Sequence, residues 1–231
     1  MGPDINDIVV QAGHQLKSPV AVIKEFTHLF AEGFGGNLTK KQEQYLEAIH
    51  HSLNHMTYLL DNIENMKRSD LERWALHVEE EDPVFLIRQI SNAWRPLLEK
   101  RDRRLMEEFE DNLPKVKTNA IAVEQVLFNL IDNASKYSPA GSTIVFRCYQ
   151  PDADSVYLEV ENEGQGIAPD IRESIFQPYV RHAEHESMPG LGLGLAIAQN
   201  IAEQIGGWLQ LHEEGLDEGR TRFSLRLSIA K

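Results

Sequence analysis

The spacing of apolar residues over the first 66 positions constrains the fold of this chain more than any other feature. Residues 4–32 and 40–66 each place an apolar residue every three or four positions, as helices do when they pack along one seam. The glycine-rich stretch EGFGGNLT separates them, and Thr39 with Gln42 fits a T-x-x-Q capping box that would begin the second helix. We therefore predict an antiparallel helical hairpin. Its seam positions are Ile5, Ile8, Ala12, Leu16, Pro19, Ile23, Phe26 and Phe30 in the first helix and Tyr45, Ile49, Leu53, Met56, Leu60, Ile63 and Met66 in the second.

A hairpin of two helices buries only a thin core, so its apolar seams need a further surface to cover them. A homodimer would bury both seams in a four-helix bundle, and this is the arrangement that we expect. A monomeric hairpin packed against the rest of the chain is the alternative.

The hydrophobic pattern changes at Pro83. Residues 71–82 are rich in charge and form a junction, with one short strand predicted in LERWALH. From there on, helical and strand patterns mix, which predicts an α+β domain with its helices on one face of a sheet. We divide the chain into a hairpin at 1–70, the junction, and a second domain at 83–231. Predicted helices span 84–100, 119–137 and 192–205, and predicted strands are RLMEEFE, TIVFRCYQ, SVYLEVENE, WLQLHEE and RTRFSLRLSI.

Composition and charge narrow the class of function. The formal net charge is −13 at pH 7, which argues against binding to nucleic acid or to an anionic membrane surface. Cys148 is the single cysteine, so there is no disulfide framework and the cytoplasm is the expected compartment. We find no run of 18 apolar residues and no signal peptide. The short polar start, MGPDIND, leaves room for a preceding N-terminal region, which would be the one link to a membrane.

Two glycine patterns in the second domain suggest a phosphate site. ENEGQGI, residues 161–167, follows a predicted strand, and PGLGLGLAIAQNI, residues 189–201, leads into a predicted helix. Gly190, Gly192 and Gly194 would let backbone N–H groups approach a phosphate at the positive end of that helix. The spacing fits neither a P-loop nor a dinucleotide-binding fingerprint. A flexible turn before a helix explains such a run equally well.

The stretch EQVLFNLIDNASKYSP, residues 124–139, places polar groups on one face of a predicted helix. Asn129 and Asn133 are four residues apart, and Lys136 follows within one turn. An amide oxygen is a suitable ligand for Mg²⁺ that is otherwise held by phosphates and water, and the lysine would reach the same phosphates. Solvated surface side chains are the simpler explanation of these residues taken alone.

The first helix carries a further signal in AGHQLKSPVAVI, residues 12–23. At 100° per residue, His14 points away from the seam and faces solvent. Pro19 removes the N–H that would bond to the carbonyl of Gln15, which loosens the helix beside the histidine. An incidental surface histidine in a proline-kinked helix is the alternative on this evidence.

These stretches resemble the motifs of sensor histidine kinases in two-component signalling. The second domain shows an asparagine box, a first glycine box, a phenylalanine box (IFQPYVR) and a second glycine box in the family's order, and AGHQLKSP is similar to its phosphoacceptor motif. The resemblance spans about residues 7–227. It implies a dimeric hairpin that carries the phosphoacceptor, followed by an α/β sandwich ATP-binding domain of the Bergerat type. It also implies ATP and Mg²⁺ as cofactors and the receiver domain of a response regulator as partner.

The resemblance further implies roles for individual residues. His14 would accept the γ-phosphoryl group of ATP, and Asn133 would bind Mg²⁺ with Asn129 beside it. Asn162 stands where the family usually has an aspartate that hydrogen-bonds the adenine amino group. Residues 180–191 would form a short ATP lid. The other implied nucleotide-binding residues are Lys136 and Arg181 at the phosphates, Tyr137 near the base, and Gly164, Gly166, Ile167, Gly190, Leu191, Gly192, Leu193 and Gly194.

Three positions qualify the resemblance. Gln15 replaces the acidic neighbour of the phosphoacceptor; an amide can orient a ring but cannot act as a general base, so slower autophosphorylation is expected. Asn162 lacks the charge of the usual aspartate, which predicts nucleotide binding weaker by roughly 1 kcal/mol. Ser18 keeps a hydroxyl where the family's phosphatase-supporting residue lies, which is compatible with dephosphorylation of the partner.

Three other functions compete with that of a kinase. Nucleotide hydrolases of the same fold have a water-activating glutamate where this chain has Asn129. A degenerate kinase that acts only as a dimeric regulator draws support from Gln15 and Asn162, but not from the intact glycine boxes. Metal binding by histidine pairs would lack a third ligand. These pairs are His51 with His55 and His182 with His185.

Overall fold

The computed structural model describes residues 5–65, 78–178, 180 and 192–230, and the chain divides into two compact units, Met1–Glu72 and Arg73–Lys231. The first unit contains helices α1 (Ile5–Ala31) and α2 (Lys40–Asn65). The second unit contains β1 (Glu79–Glu81), α3 (Pro83–Lys100), β2 (Arg104–Phe109), β3 (Val116–Thr118), α4 (Ala120–Tyr137), β4 (Thr143–Asp152), β5 (Ser155–Glu163), α5 (Gly194–Gln204), β6 (Trp208–His212) and β7 (Arg220–Ser228).

The predicted capping box begins the second helix of the hairpin. The amide N–H of Gln42 donates to Thr39 Oγ1 at 3.3 Å, and the amide N–H of Thr39 donates to Gln42 Oε1 at 2.9 Å. The first helix runs without interruption through Pro19. Both predicted helices of the hairpin are therefore confirmed.

Among the side chains of the hairpin that the structure describes, the buried core is narrower than the predicted seam. Val20, Leu53 and Leu60 are only 5–6% exposed and form its buried cluster, and Val20 was not among the predicted seam positions. Because two helices alone touch along a single line, most other seam positions whose side chains the structure describes remain uncovered in one copy of the chain. We name these uncovered residues the exposed apolar stripe: Leu16, Ile23, Phe26, Phe30, Tyr45, Ile49 and Met56.

A five-stranded sheet in the order β2-β4-β5-β7-β6 forms the centre of the second unit. β2 runs parallel to β4, whereas the other neighbours are antiparallel. The three predicted helices and five predicted strands of this domain are confirmed. A separate antiparallel pair, β1 with β3, was not predicted. The short strand predicted in LERWALH lies outside the described residues.

One face of the sheet forms the core with the helices. The strand register places three residues that are at most 5% exposed on this face of the sheet: Phe146, Leu158 and Leu225. Trp94 of α3 meets Phe128 of α4 edge to face, with ring centroids 5.2 Å apart. The α+β architecture predicted from the sequence is thus confirmed.

The opposite face of the sheet is polar and centres on Glu159, which is only 1% exposed. Arg147 donates to Glu159 Oε1 at 2.9 Å and to Glu108 at 2.6 Å. The hydroxyls of Tyr149 and Ser224 donate to Glu159 Oε2 at 3.1 and 2.9 Å. Burial opposes the charge of Arg147, but its hydrogen bonds to carboxylates outweigh this and raise the pKa of the guanidinium. The buried carboxylate is therefore fully partnered.

Cys148 lies in the core on β4 and is 0% exposed. Burial raises the pKa of its thiol to about 12, and the charges of Asp82 and Glu110 add to this effect. The thiol therefore stays protonated near neutral pH.

Candidate functional site

Side chains from α4, β5, α5 and β7 line a cavity of about 390 Å³ in the second unit. Its volume lies within the range of roughly 300–1,000 Å³ that is typical of small-molecule sites. The fold thus brings together groups from widely separated parts of the sequence. The predicted nucleotide-binding residues that line it are Asn133, Tyr137, Asn162, Gly166 and Ile167.

Asn129 and Asn133 lie against the start of α5. The side chain of Asn129 is buried, and its Nδ2 donates to the carbonyl of Gln125 at 3.0 Å. A Cβ on Gly194, the first residue of α5, would lie 3.3 Å from Asn129 Oδ1 and 4.0 Å from Asn133 Oδ1. The last glycine of the predicted cradle therefore meets both asparagines. Amide oxygens beside the positive end of a helix can bind a phosphate together with a cation.

Lys136 is absent from the described residues that line the cavity. Its Nζ forms an ion pair with Asp132, four residues earlier on α4. Asp132 was not among the predicted site residues, although an acidic residue four positions before a lysine on a helix is a recognisable signal. To reach a phosphate, Lys136 would have to leave Asp132.

The first glycine box forms a turn that larger residues would not fit. The N–H of Gly164 donates to the carbonyl of Gly219 at 2.6 Å, and a Cβ on Gly164 would lie 2.8 Å from the carbonyl oxygen of Tyr137. Gly166 has a φ of +74°, and a Cβ there would overlap the carbonyl of Leu216. Glycine therefore permits the backbone of this turn to approach its neighbours closely.

Asn162 lines the cavity. It is 6% exposed on β5 and is the cross-strand partner of Thr221, which also lines the cavity. Its Nδ2 donates to the backbone carbonyl of Glu163 at 3.1 Å. This leaves Oδ1 as the hydrogen-bond acceptor, which is the group that an adenine amino donor requires.

Sequence reasoning gave Ile175 only as part of the phenylalanine box, with no role in the site, and it missed Ile171, Leu216 and Phe223 of the apolar wall. Ile171 and Ile175 are four residues apart, a helical spacing that could have indicated one apolar face. Leu216 carries no such local signal, because it enters from a short 3-10 helix, Leu216–Glu218, more than 40 residues along the chain. The ring of Phe223 meets Phe176 edge to face, with centroids 6.1 Å apart.

Some predicted nucleotide-binding residues flank the cavity rather than line it. Gly192 has a φ of +69°, and the carbonyl of Leu193 accepts from the N–H of Ile197 at 2.9 Å, which begins α5. Arg181, Gly190, Leu191 and nearly all of the predicted lid at 180–191 lie outside the described residues.

The predicted phosphoacceptor motif lies on α1. Gln15 and Ser18 are exposed on this helix. The side chain of His14 lies outside the described part of the chain, so its direction toward solvent stays a prediction.

Comparisons with known families agree with this arrangement. A model described as Histidine kinase-, DNA gyrase B-, and HSP90-like ATPase matches residues 118–231, and one described as His Kinase A (phospho-acceptor) domain matches residues 6–72. The chain belongs to the sensor histidine kinases. In this kinase, the match to the phosphoacceptor domain covers the helical hairpin. The match to the ATPase model covers the part of the α+β unit that contains the cavity.

Curated relatives of the kinase are themselves sensor proteins. The kinase is 28% identical over 226 residues to the sensor protein KdpD of Clostridium acetobutylicum, a match that covers 95% of this chain and 24% of that protein. It is 31% identical over 219 residues to the sensor protein IrlS of Burkholderia pseudomallei, covering 92% of this chain and 45% of that protein. The kinase thus spans about a quarter to a half of the length of these relatives.

Solved structures share the fold of the kinase. The mycobacterial sensor histidine kinase MprB superposes with a TM-score of 0.55 at 26% identity, over 66% of this chain and 98% of that one. Full-length ShkA in complex with AMPPNP superposes with a TM-score of 0.65 at 23% identity, over 97% of this chain and 46% of that one. The second likeness extends over both units and shows the fold.

The site residues of the kinase fit ATP, as the family match to its second unit supports. The cavity offers the Oδ1 acceptor of Asn162, an apolar wall and the amide of Asn133. Among the described residues, no group of three or more His, Cys, Asp or Glu side chains could hold a metal ion by itself. Mg²⁺ would therefore depend on Asn133 and on the phosphates of the nucleotide. No helix in the described part of the kinase is long and apolar enough to cross a membrane.

Proposed function

We propose that this chain is the core of a kinase that transfers the γ-phosphoryl group of ATP to its own His14. The observation that carries the proposal is the cavity of the second unit. It combines the amide of Asn133, the tight glycine turn and the acceptor of Asn162 beside Thr221. The family match of the hairpin to a phosphoacceptor domain supports the second half of the reaction.

In the proposed complex, each wall of the cavity recognises a different part of ATP. Asn162 Oδ1 accepts a hydrogen bond from the adenine amino group, and the apolar wall that includes Ile175 and Phe223 excludes water from the base. Asn133 holds Mg²⁺, with Asn129 beside it and the N-terminus of α5 directed at the phosphates. When bound, Mg²⁺ neutralises phosphate charge and orients the transferred group.

The transfer itself needs placement more than covalent chemistry from the ATP-binding unit. A ring nitrogen of His14 forms a bond to the γ-phosphorus while the bond from that phosphorus to the β,γ-bridging oxygen breaks, so that ADP leaves. The attacking ring nitrogen carries no proton, and the proton on the other ring nitrogen is released as the phosphorylated imidazolium becomes neutral. Gln15 can orient the imidazole through its amide but cannot take up this proton, so we expect a slow transfer rate.

Two partners complete the proposed reaction cycle. A second copy of the chain covers the exposed apolar stripe and forms a four-helix bundle, because a lone hairpin leaves residues such as Phe26 and Phe30 in water. The aspartate of a response regulator receiver domain then takes the phosphoryl group from His14. Ser18, exposed one turn later on α1, supports removal of that group from the regulator.

The test compares the parent chain with His14→Ala and, as a matched control, His28→Ala, since His28 is an exposed histidine on the same helix. Each protein is incubated with γ-labelled ATP and Mg²⁺, and the retained label is assayed for acid lability. Acid-labile label on the parent and on His28→Ala, but not on His14→Ala, is expected.

A second candidate function follows from Gln15 and Asn162, which both lack the usual carboxylate. The chain would then bind nucleotide and act as a dimeric regulator without kinase activity. Nucleotide binding without retained label on the parent would favour this function. Failure of the parent to bind ATP would contradict both.

A further inference from the structure

Leu216 reaches the cavity from the loop between β6 and β7, residues 213–219. It begins a short 3-10 helix and is only 2% exposed, whereas the described glutamates of the same loop are exposed. The N–H of Arg220 donates to the carbonyl of Gly215 at 2.9 Å, which closes the loop across the 3-10 helix. The loop thus leaves its glutamates in solvent and buries one leucine in the wall of the cavity.

Backbone contacts fix this loop against the first glycine box. The N–H of Gly164 donates to the carbonyl of Gly219 at 2.6 Å, and a Cβ on Gly219 would overlap the carbonyl oxygen of Gly164. A Cβ on Gly166 would likewise overlap the carbonyl of Leu216. Because the two backbones touch at two places with no side chain between them, Leu216 cannot withdraw from the cavity unless the glycine turn moves as well.

The same contacts place Leu216 at the end of the cavity that we assign to the base. Asn162, the proposed acceptor for the adenine amino group, lies two residues before Gly164 on the chain. Its cross-strand partner Thr221 follows the loop of Leu216 and also lines the cavity. Asn133, which we assign to the metal and the phosphates, belongs to α4 instead. Leu216 therefore lies with the groups that would recognise the base.

The burial of Leu216 limits the space beside the base. Its neighbours in the apolar wall, Ile175 and Phe223, are 8% and 5% exposed, so protein and not solvent lies behind this wall. A close-packed wall has little free volume into which a larger ligand could expand. A substituent on the base would have to displace a leucine whose loop is fixed to the glycine turn.

We infer that Leu216 contacts the adenine ring and determines how large a base the site accepts. The inference rests on the proposed ATP site. It adds to that site a specificity-determining residue outside the asparagine and glycine boxes. A leucine that only stabilises the fold is the alternative, and enlarged bases distinguish the two roles.

The experiment titrates the intact chain with ATP, N6-ethyl-ATP and 2-methylthio-ATP by calorimetry. The two analogues enlarge the base on its amino group and on the neighbouring edge of the ring. Leu216→Ala removes the apolar side chain from the wall. Leu209→Ala is the matched control, since Leu209 is a leucine of β6 that is 1% exposed and is not among the described residues that line the cavity.

We expect the parent to bind both analogues at least tenfold more weakly than ATP. Leu216→Ala should reduce this difference about tenfold for at least one analogue, because the substituent then occupies the space that the leucine leaves. Leu209→Ala should keep the parent's ratio of affinities, since it lowers stability without changing the wall.

Two results would overturn the inference. One is a parent that binds both analogues as tightly as ATP, and the other is a ratio of affinities that Leu216→Ala leaves unchanged for both. A parent chain that binds ATP and neither analogue keeps the proposed function intact whatever the variant does. A parent that binds none of the three ligands would overturn the proposed function as well.

A second measurement covers the case in which Leu216→Ala does not fold. The chain is labelled with carbon-13 in its leucine methyl groups, and the volume-conserving Leu216→Met identifies the resonances of Leu216 by their loss. We expect saturating ATP to shift these resonances through the ring current of the base, while tripolyphosphate does not shift them. Resonances that stay unshifted when ATP is bound would contradict the inference.

Discussion

Asn162 holds its amide in one orientation, because its Nδ2 donates to the carbonyl of Glu163. The remaining acceptor, Oδ1, is neutral, whereas a carboxylate would add a charge-assisted component of about 1 kcal/mol to a hydrogen bond from adenine. Asn162→Asp should therefore bind ATP about fivefold more tightly, and GTP should not gain, since guanine presents an acceptor at that position. Calorimetric affinities for both nucleotides check this.

The control for Asn162→Asp is Asn200→Asp, which adds the same charge at an exposed position on α5. Its ATP affinity should equal that of the parent. Equal changes in the two variants would mean that overall charge, and not the contact with the base, determines the affinity.

His212, on the polar face of the sheet, should make the stability of the folded chain depend on pH. Its Nε2 lies 2.7 Å from Ser224 Oγ, which in turn donates to the buried Glu159. Burial lowers the pKa of His212, and the charge of Arg222 lowers it further, against the opposing charges of Glu159 and Glu214. The folded chain therefore prefers neutral His212.

This preference predicts a loss of stability in acid. The unfolded chain binds a proton at His212 as pH falls through roughly 6.5, while the folded chain still resists it. The free energy of unfolding should therefore fall between pH 7.5 and 5.5, and His212→Gln should reduce that fall. Urea unfolding at several pH values measures this free energy of unfolding. The exposed-site control His28→Gln should follow the parent, and parallel curves for His212→Gln and the parent would contradict the prediction.

At the scale of elements, two glycine turns differ in what surrounds them. Gly166 and Gly141 have similar φ values, +74° and +80°. A Cβ on Gly141 would meet no atom within 4 Å, whereas a Cβ on Gly166 would overlap the carbonyl of Leu216. Replacing each glycine by alanine therefore distinguishes the free-energy cost of a left-handed backbone conformation from the cost of a steric clash.

Gly141→Ala should lose only the conformational cost, about 1 kcal/mol of unfolding free energy, and should bind ATP normally. Gly166→Ala should lose more stability and at least tenfold in ATP affinity, because the turn must move away from Leu216. Thermal unfolding and nucleotide titration check both variants. Similar behaviour of the two would show that the close approach does not matter for binding.

Local sequence patterns predicted the elements whose determinants are contiguous. The helix predicted at 119–137 begins at Ala120, because Asn119 lies outside it as the N-cap and its side chain accepts from the N–H of Ala122 at 2.9 Å. The pair β1–β3 was missed, since each strand has only three residues and its partner is more than 30 positions away. Pairing at such a distance depends on tertiary contacts that no local pattern contains.

At the scale of the molecule, the exposed apolar stripe argues for self-association. Phe26 is 60% exposed, and isolated apolar surface of this length is costly in water. Phe26→Glu should weaken the proposed dimer at least tenfold, which analytical ultracentrifugation measures as a shift toward the monomer mass. Phe85→Glu makes the same change at a residue of α3 that is 56% exposed, and it should leave the mass unchanged. A parent chain that sediments as a monomer would contradict the proposed dimer.

Sequence reasoning about the cavity has the same limit as for the β1–β3 pair, because local patterns do not contain tertiary contacts. Asn133 and Gly166 belong to recognisable motifs, so they could be proposed before the fold was known. Arg172, Leu216 and Thr221 could not, because the topology of the sheet and a short 3-10 helix bring them to the cavity. Motifs thus predicted several of the residues that line the cavity, while tertiary structure supplied much of its wall.

The protected thiol of Cys148 has a practical consequence for spectroscopy. Since this thiol is buried and its pKa is raised, we expect the unaltered chain to react with thiol reagents no more than a cysteine-free chain would. A single cysteine introduced at an exposed position of either unit would therefore take up a maleimide dye selectively. Pairs of such dyes would report distances between the two units while nucleotide is added, without first removing any native residue.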